Sequence, residues 1–398
     1  MNNRKNNKIY GLSAFIFLCA LNSIKGVIGL SSSLGTILTV LILIVCFICW
    51  AKVHFSYKQD KYMMGVDLMT LLVTIYGIIS VIQGRNLETA GGDKIVSYKF
   101  LLQYYLSLLP IYVFFYFARN GIITDKILKK CFFLFFVISV IDFISNFFRR
   151  TELLGMEDTV NNLSYSFVPL IPLLFLTKMK SNMKLYLMMT IALVVVFGMK
   201  RGAILITAIL VIYFIRGVLV HQKKKNIAAI IVVVVAGVYY INKLYSENYF
   251  FQARVEETIE GNSSGRDVMY ANYYNYYVNH TSQTEFLLGK GSFATVEVFG
   301  QYAHNDWLEI AIDMGLLGVI CYLIYWIFFF GEWRSYRDKN TKMVFTAIII
   351  IYFLESLYSM SISSMEITAS LCLGYCLAHN DMVKDRNKLI SKTKTLKA

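Results

Sequence analysis

His304-Asn305-Asp306-Trp307-Leu308-Glu309, followed by Gly315-Leu316-Leu317-Gly318, stands where the one long polar segment of the chain runs into an apolar span of about twenty residues. An apolar run of that length is what crossing a bilayer needs. The junction therefore holds a proton-transfer side chain at a membrane surface, at the start of a helix. Gly315 and Gly318, close together on that helix, are expected to let another helix approach closely.

The rest of the chain agrees with a membrane setting. Of its 398 residues, 57% are hydrophobic and only 16% are charged, with a mean hydropathy of +0.55. These values lie outside the range of soluble globular proteins and indicate one polytopic membrane domain, 1–398. The net charge of +14 does not point to nucleic acid, because Lys and Arg gather in short clusters between apolar runs. Cys19, Cys46, Cys49, Cys131, Cys321, Cys372 and Cys376 all lie in or beside apolar runs. Without a polar surrounding they read as packing thiols rather than metal or redox pairs. Arg4, Lys5 and Lys8 precede the first apolar run, and no small-residue cleavage site follows it, so it is expected to stay as an anchor.

Twelve spans are expected: 9–24, 34–51, 63–83, 100–118, 131–147, 164–177, 185–199, 202–220, 227–242, 307–330, 343–359 and 362–379. They are assigned as helices because an open sheet cannot satisfy its edges in lipid. Pro110 is expected to kink the fourth, and Pro169 and Pro172 to make the sixth short or re-entrant. With the N-terminus inside, the inside segments hold 27 of the 39 Lys and Arg. Both termini are therefore expected to be cytoplasmic. Residues 243–306, rich in Tyr, Asn, Ser and Gly, form one long extracytoplasmic loop between helices 9 and 10. This loop is expected to fold as short helices on the membrane domain. The basic tail 384–398 reads as a solvated end near anionic lipid. There is no visible internal repeat, which weighs against a transporter built from duplicated halves.

Several residues bear chemistry. Asp306 and Glu309 have capping-box spacing, so a well-capped helix start is one reading of the opening stretch. The other reading is catalytic. Asn305 can orient His304, and Asp306, Glu309 and Asp313 share one helix face, spread over about 10 Å. Carboxylates entering a bilayer usually face a cavity or a cation. Lys200-Arg201-Gly202 forms a very short turn between two apolar spans and pins Arg201 at the outer interface, where it either snorkels or points into the bundle. Gly265-Arg266 leads into Tyr270, Tyr273, Tyr274 and Tyr277, with Arg266, Tyr270, Tyr273 or Tyr274, and Tyr277 on one helical face. This is either an interfacial amphipathic helix or a guanidinium for phosphate beside aromatic faces for a sugar. Gly289-Lys290-Gly291 is a weak phosphate-loop signal and reads better as a turn. No two acidic residues are spaced i, i+2, and no nucleotide-binding, zinc-protease or serine-hydrolase motif is present.

Together these residues resemble the O-antigen polymerase and ligase superfamily. The signature is a His-Asn-x-x-Leu-Glu run and a Gly-Leu-x-Gly in the next helix, here His304, Asn305, Leu308, Glu309, Gly315, Leu316 and Gly318. Upstream, Gly289 and Gly291, Arg266 with Tyr270, and Arg201-Gly202 also match. Lys200 departs from the pattern, standing where serine is usual. The motif-bearing part covers roughly 195–325.

The resemblance implies a GT-C-like glycosyltransferase of the bacterial cytoplasmic membrane, with its active site on the extracytoplasmic face. Its substrate would be an oligosaccharide carried on undecaprenyl diphosphate. Arg201 and Arg266 would hold the diphosphate, with Lys200 beside them. His304 would remove the acceptor proton, and Tyr270, Tyr273, Tyr274, Tyr277, Asn305 and Glu309 would line the substrate site. No cofactor is implied, and no metal, since guanidinium takes its role. The leading reading is a polymerase of capsule, exopolysaccharide or O-antigen repeat units, working beside membrane lipid with chain-length regulator and flippase proteins. A ligase of the same superfamily is the alternative. A flippase or other lipid-linked-sugar transporter, with Asp67, Asp142, Glu355 and Glu366 for proton coupling, is the alternative from another class.

Overall fold

The computed structural model describes residues 2–84, 86–88, 94–96, 98–154, 162–219, 235, 239, 242–243, 245–247, 249–259 and 265–395. Helices α1 (Asn2–Ser23), α2 (Ser32–Ser56) and α3 (Lys61–Ile82) open the chain. A two-stranded antiparallel hairpin, β1 (Asn86–Glu88) with β2 (Lys94–Val96), then pairs Leu87 with Ile95. Among the described residues it is the departure from the all-helical expectation. Next come α4 (Tyr98–Leu108), α5 (Pro110–Arg119), α6 (Asp125–Leu154), a 3-10 turn at Asn162–Phe167, α7 (Leu170–Leu176), α8 (Ser181–Phe197) and α9 (Arg201–Leu219). The loop helices are α10 (Tyr249–Ile259), α11 (Arg266–Asn279), α12 (Gln283–Leu288) and α13 (Ala294–Phe299). Helices α14 (Asp306–Ser335), α15 (Lys339–Tyr358) and α16 (Ile367–Thr395) follow.

Among the described residues, six helices are long and apolar enough to cross a membrane: 32–56, 61–82, 98–119, 125–149, 306–335 and 339–358. Two shorter apolar helices cover 162–176 and 181–197. The expected spans 9–24, 202–220 and 362–379 fall mainly in α1, α9 and α16. The span expected at 227–242 lies almost wholly outside the described residues.

The prolines act where expected. Pro110 takes the first position of α5 and divides it from α4. A helix start needs no N–H there, so proline begins a helix as readily as it breaks one. Pro172 sits in the first turn of the seven-residue α7, after the 3-10 turn. Seven buried thiols, none in a disulfide, match the packing role expected of them.

Small residues and tyrosines set the closest helix contacts. A Cβ on Gly374 of α16 would stand 2.7 Å from the Phe115 amide nitrogen of α5, so those backbones nearly touch. Tyr62 of α3 meets the Tyr325 hydroxyl of α14 at 3.0 Å. Asp67 accepts from Trp50 Nε1 (2.9 Å) and Tyr112 OH (2.6 Å), and lies 2.9 Å from His54 Nε2. These contacts tie α2, α3 and α5 together, so Asp67 is engaged in holding the bundle. At the other end from the loop helices, Lys384 of α16 reaches Glu332 (3.0 Å) and Asp60 (3.3 Å).

Candidate active site

The site rests on a break in α14. Gly315 has φ 65° and ψ −164°, and the helix is kinked there. Turn 289–291 occupies the break. Lys290 N donates to Ile312 O and Gly291 N to Asp313 O, both at 2.9 Å. A Cβ on Gly315 would lie 2.6 Å from the carbonyl carbon of Leu287. Tyr76 of α3 closes the join by donating to Met314 O at 3.1 Å and to Leu288 O. The close approach that Gly315 permits is therefore to a loop turn rather than to another helix. The amides of Lys290 and Gly291 are spent on α14, so Gly289-x-Gly291 is a structural turn and holds no phosphate.

The three carboxylates below His304 bind the loops to the helix. Asp306 accepts from Ser361 N (3.0 Å), Ile362 N (3.1 Å), Tyr322 OH (2.8 Å) and the Ser361 hydroxyl. Glu309 accepts from Ala303 N at 2.7 Å and from the Thr295 hydroxyl. Asp313 accepts from Phe293 N (3.1 Å) and Thr295 N (3.3 Å). All three are buried, and each satisfies loop amides that have no water to turn to. The capping-box reading is corrected. The cap is Asn305, whose side chain accepts from Leu308 N at 3.1 Å, while Glu309 turns away to Ala303. Asn305 also donates to Leu357 O at 2.8 Å, so its amide fixes the helix start rather than the His304 ring.

His304 is thus held from both sides. Glu309 grips the residue before it, and Asn305 caps the helix after it. Its backbone sits in the left-handed region, φ 51°, a conformation costing a non-glycine residue of order 1–3 kcal/mol and maintained only by such over-determination. Among the described residues its imidazole makes no hydrogen bond, and it reaches the surface of the loop end. Loss of water around the ring, then the charges of Arg266 and Lys200, push its pKa below 6.5. A neutral imidazole is the form that accepts a proton.

The cations converge on the end of α15. Arg266 Nη1 donates to Tyr358 O at 2.7 Å. Tyr270, one turn on, donates to His304 O at 3.0 Å. Arg201 opens α9 after a three-residue link in which Met199 is also left-handed, φ 51°. A Cβ on Gly202 would come within 2.7 Å of the Tyr358 ring and would strike the Tyr165 hydroxyl. Lys200-Arg201, Arg266, Tyr270 and His304 therefore surround one small region above Tyr358. Among the described residues, no three His, Cys, Asp or Glu side chains stand together as metal ligands.

Residues 185–323 match the family model described as O-antigen ligase. That segment is similar to the O-antigen ligase family, and the match supports the kinship with the O-antigen ligase and polymerase superfamily expected from the motifs. No curated protein matches it. The matched segment runs from α8 into α14 and takes in Lys200, Arg201, Arg266, Tyr270, His304 and the Gly315 break. It stops short of Leu357 and Tyr358, the carbonyls on which that superfamily segment is seated.

The other tyrosines do different work. Tyr273 is buried, stacked on Phe299 at 3.9 Å, and its hydroxyl donates to Gln301 O. Tyr277 stacks on Phe286 and donates to Phe286 O. Tyr273 is covered and Tyr277 half-buried, and both knit the loop helices together. Tyr274 is exposed, and only Tyr270 of the four bonds to His304. Two residues with no sequence signal join the site. The hydroxyls of Tyr165 and Tyr358 are buried without a partner among the described residues, beside the start of α9. Each is a donor available to a phosphate oxygen.

Proposed function

We propose that this chain is a membrane glycosyltransferase of the O-antigen ligase and polymerase superfamily that moves an oligosaccharide off a diphosphate lipid carrier, on the extracytoplasmic face. Polymerisation of repeat units for capsule, exopolysaccharide or O-antigen is the leading reading. The observation that carries it is the neutral-favouring imidazole of His304, without a hydrogen bond among the described residues and held against backbone strain beside Arg266 and Lys200. Arg201 and Arg266 bind the diphosphate, helped by the Tyr165 and Tyr358 hydroxyls. Guanidinium suits it because its fork donates two parallel hydrogen bonds.

The reaction balances as a displacement. His304 takes the proton of an acceptor hydroxyl, whose oxygen bonds to the anomeric carbon as the bond from that carbon to the carrier phosphate breaks. The electron pair leaves with the lipid diphosphate, and the arginines stabilise the growing charge. The imidazolium then returns its proton to water.

The test uses purified protein and lipid-diphosphate-linked repeat units, with no ion gradient. Extension by wild type and its loss in His304→Ala and Arg266→Ala support the reading; unchanged polymer yield in both variants overturns it. Extension without a gradient also excludes a transporter. In cells, loss of activity with single repeats left on the carrier means polymerase, and long polymer retained on the carrier means ligase.

A further inference from the structure

A polar cavity, of about 210 Å³, lies at the loop end of the bundle between α1, α2, α4 and the segment leading into α16. Asn22, Gln103, Ser107, Ser363, Ser364 and Glu366 line it, and no Lys or Arg does. Asn22 already accepts from Lys25 and Thr39, and Ser364 donates to Met360 O. The others face the space with bonding capacity unspent. Ser107 Oγ accepts from Met365 N at 2.7 Å, which leaves its own proton to give. Ser363 is 4% exposed and its hydroxyl has no partner among the described residues. Glu366 precedes α16, and its carbonyl accepts from Ala369 N and Ser370 N. Among the described residues no side-chain hydrogen bond engages Glu366 or Gln103.

We infer that this cavity is a saccharide subsite that seats an uncharged sugar residue of the acceptor, with Glu366 and Gln103 receiving its hydroxyls and Ser107 and Ser363 donating to its oxygens. The inference rests on the glycosyltransferase reading and names where the second substrate sits. A carboxylate, an amide and two hydroxyls, with no Lys or Arg in the wall, suit a polyol better than a phosphate, whereas the His304 region has the opposite make-up. The two regions share one segment. Leu357 and Tyr358 receive Asn305 and Arg266, Ser361 and Ile362 are gripped by Asp306, and Ser363 to Glu366 form the cavity wall. From Tyr358 to Ser363 the chain can reach at most about 20 Å. An acceptor of a few sugar rings can therefore lie in the cavity while presenting its terminal hydroxyl to His304.

The probe is the repeat-unit oligosaccharide released from the organism's own lipid carrier by mild acid, which lacks diphosphate. Its binding to full-length protein in nanodiscs is followed by saturation-transfer NMR and calorimetry. Wild type and His304→Ala are expected to bind alike. Glu366→Gln and Gln103→Leu, on separate helices, are expected to bind about tenfold more weakly or worse, the usual loss for a buried hydrogen bond to a charged or amide group. Equal thermal unfolding midpoints show that the variants fold. No binding by wild type, unchanged binding by both variants, or a phospholipid headgroup found in the cavity overturns the subsite. Binding lost in Arg266→Ala but kept in Glu366→Gln also overturns it, by moving the sugar to the diphosphate region. Failure of the glycosyltransferase reading is separate, since it would appear as polymer formation that survives His304→Ala.

Discussion

Replacing Glu309 by alanine tests whether the strained conformation of His304 is held by its neighbours. Ala303 and Thr295 are both fully buried, and Glu309 accepts from the amide of one and the hydroxyl of the other. Removing the carboxyl leaves two buried donors unsatisfied, at about 1–3 kcal/mol each. The left-handed backbone of His304, next along from Ala303, stores about 1–3 kcal/mol of its own. The anchor lost at Ala303 N alone is of the same order as the strain it opposes, so residues 300–304 are expected to relax and carry the imidazole out of place. With each 1.36 kcal/mol a factor of ten, turnover should fall about tenfold to a hundredfold while the bundle still folds. Glu309→Gln keeps an acceptor for Ala303 N and should lose less. The assays are polymer extension in nanodiscs and amide exchange over 300–305, which should quicken in Glu309→Ala. Turnover within a factor of two of wild type, with exchange slow as before, would refute the reasoning.

Three further outcomes are expected. His304→Ala should reduce extension by about a hundredfold or more, the usual range for a general base, and Arg266→Lys should recover only part of what Arg266→Ala loses, since an ammonium lacks the two-pronged donor geometry. The acid limb of the rate profile should lie below pH 6.5, because the base works only while unprotonated and its pKa is lowered; Lys200→Gln removes a repelling charge and should move the limb to higher pH, which a pH series of initial rates reads directly. Gly315→Ala places a Cβ 2.6 Å from Leu287 in a backbone region with φ 65° and should cost at least about 1–3 kcal/mol, seen as a lower unfolding midpoint in detergent.

Much of the architecture was legible because it follows from the solvent. Long uncharged runs had to be helices, Pro110 was expected to kink one of them, and Lys200-Arg201-Gly202 left room only for a very short turn between two spans. The His304 junction was legible for the same reason, since a polar segment meets an apolar one there. What escaped was carried by backbone. The carbonyls of Leu357 and Tyr358, which seat Asn305 and Arg266, have no residue signature, because every residue has a carbonyl. Gly315 was read as a contact between helices, the commoner use of small residues in membranes, and nothing in its neighbours announces a turn entering from Gly289. Tyr273 and Tyr277 share a helical face with Arg266, but periodicity does not say that Phe299 and Phe286 cover them. Tyr165 and Tyr358 were hidden among 28 tyrosines.

The turn seated in the broken helix has a consequence for length. Gly291 is pinned to Asp313, and Ala303 to Glu309, so the chain between them leaves α14 and returns to the same helix one turn nearer its start. A residue added or removed in that closed path cannot be absorbed at either end, and the error falls on His304. The separation between the Gly-x-Gly turn and the His-Asn pair is then a ruler cut to one length. A search of unassigned membrane sequences for that interval would discriminate better than a search for either motif alone.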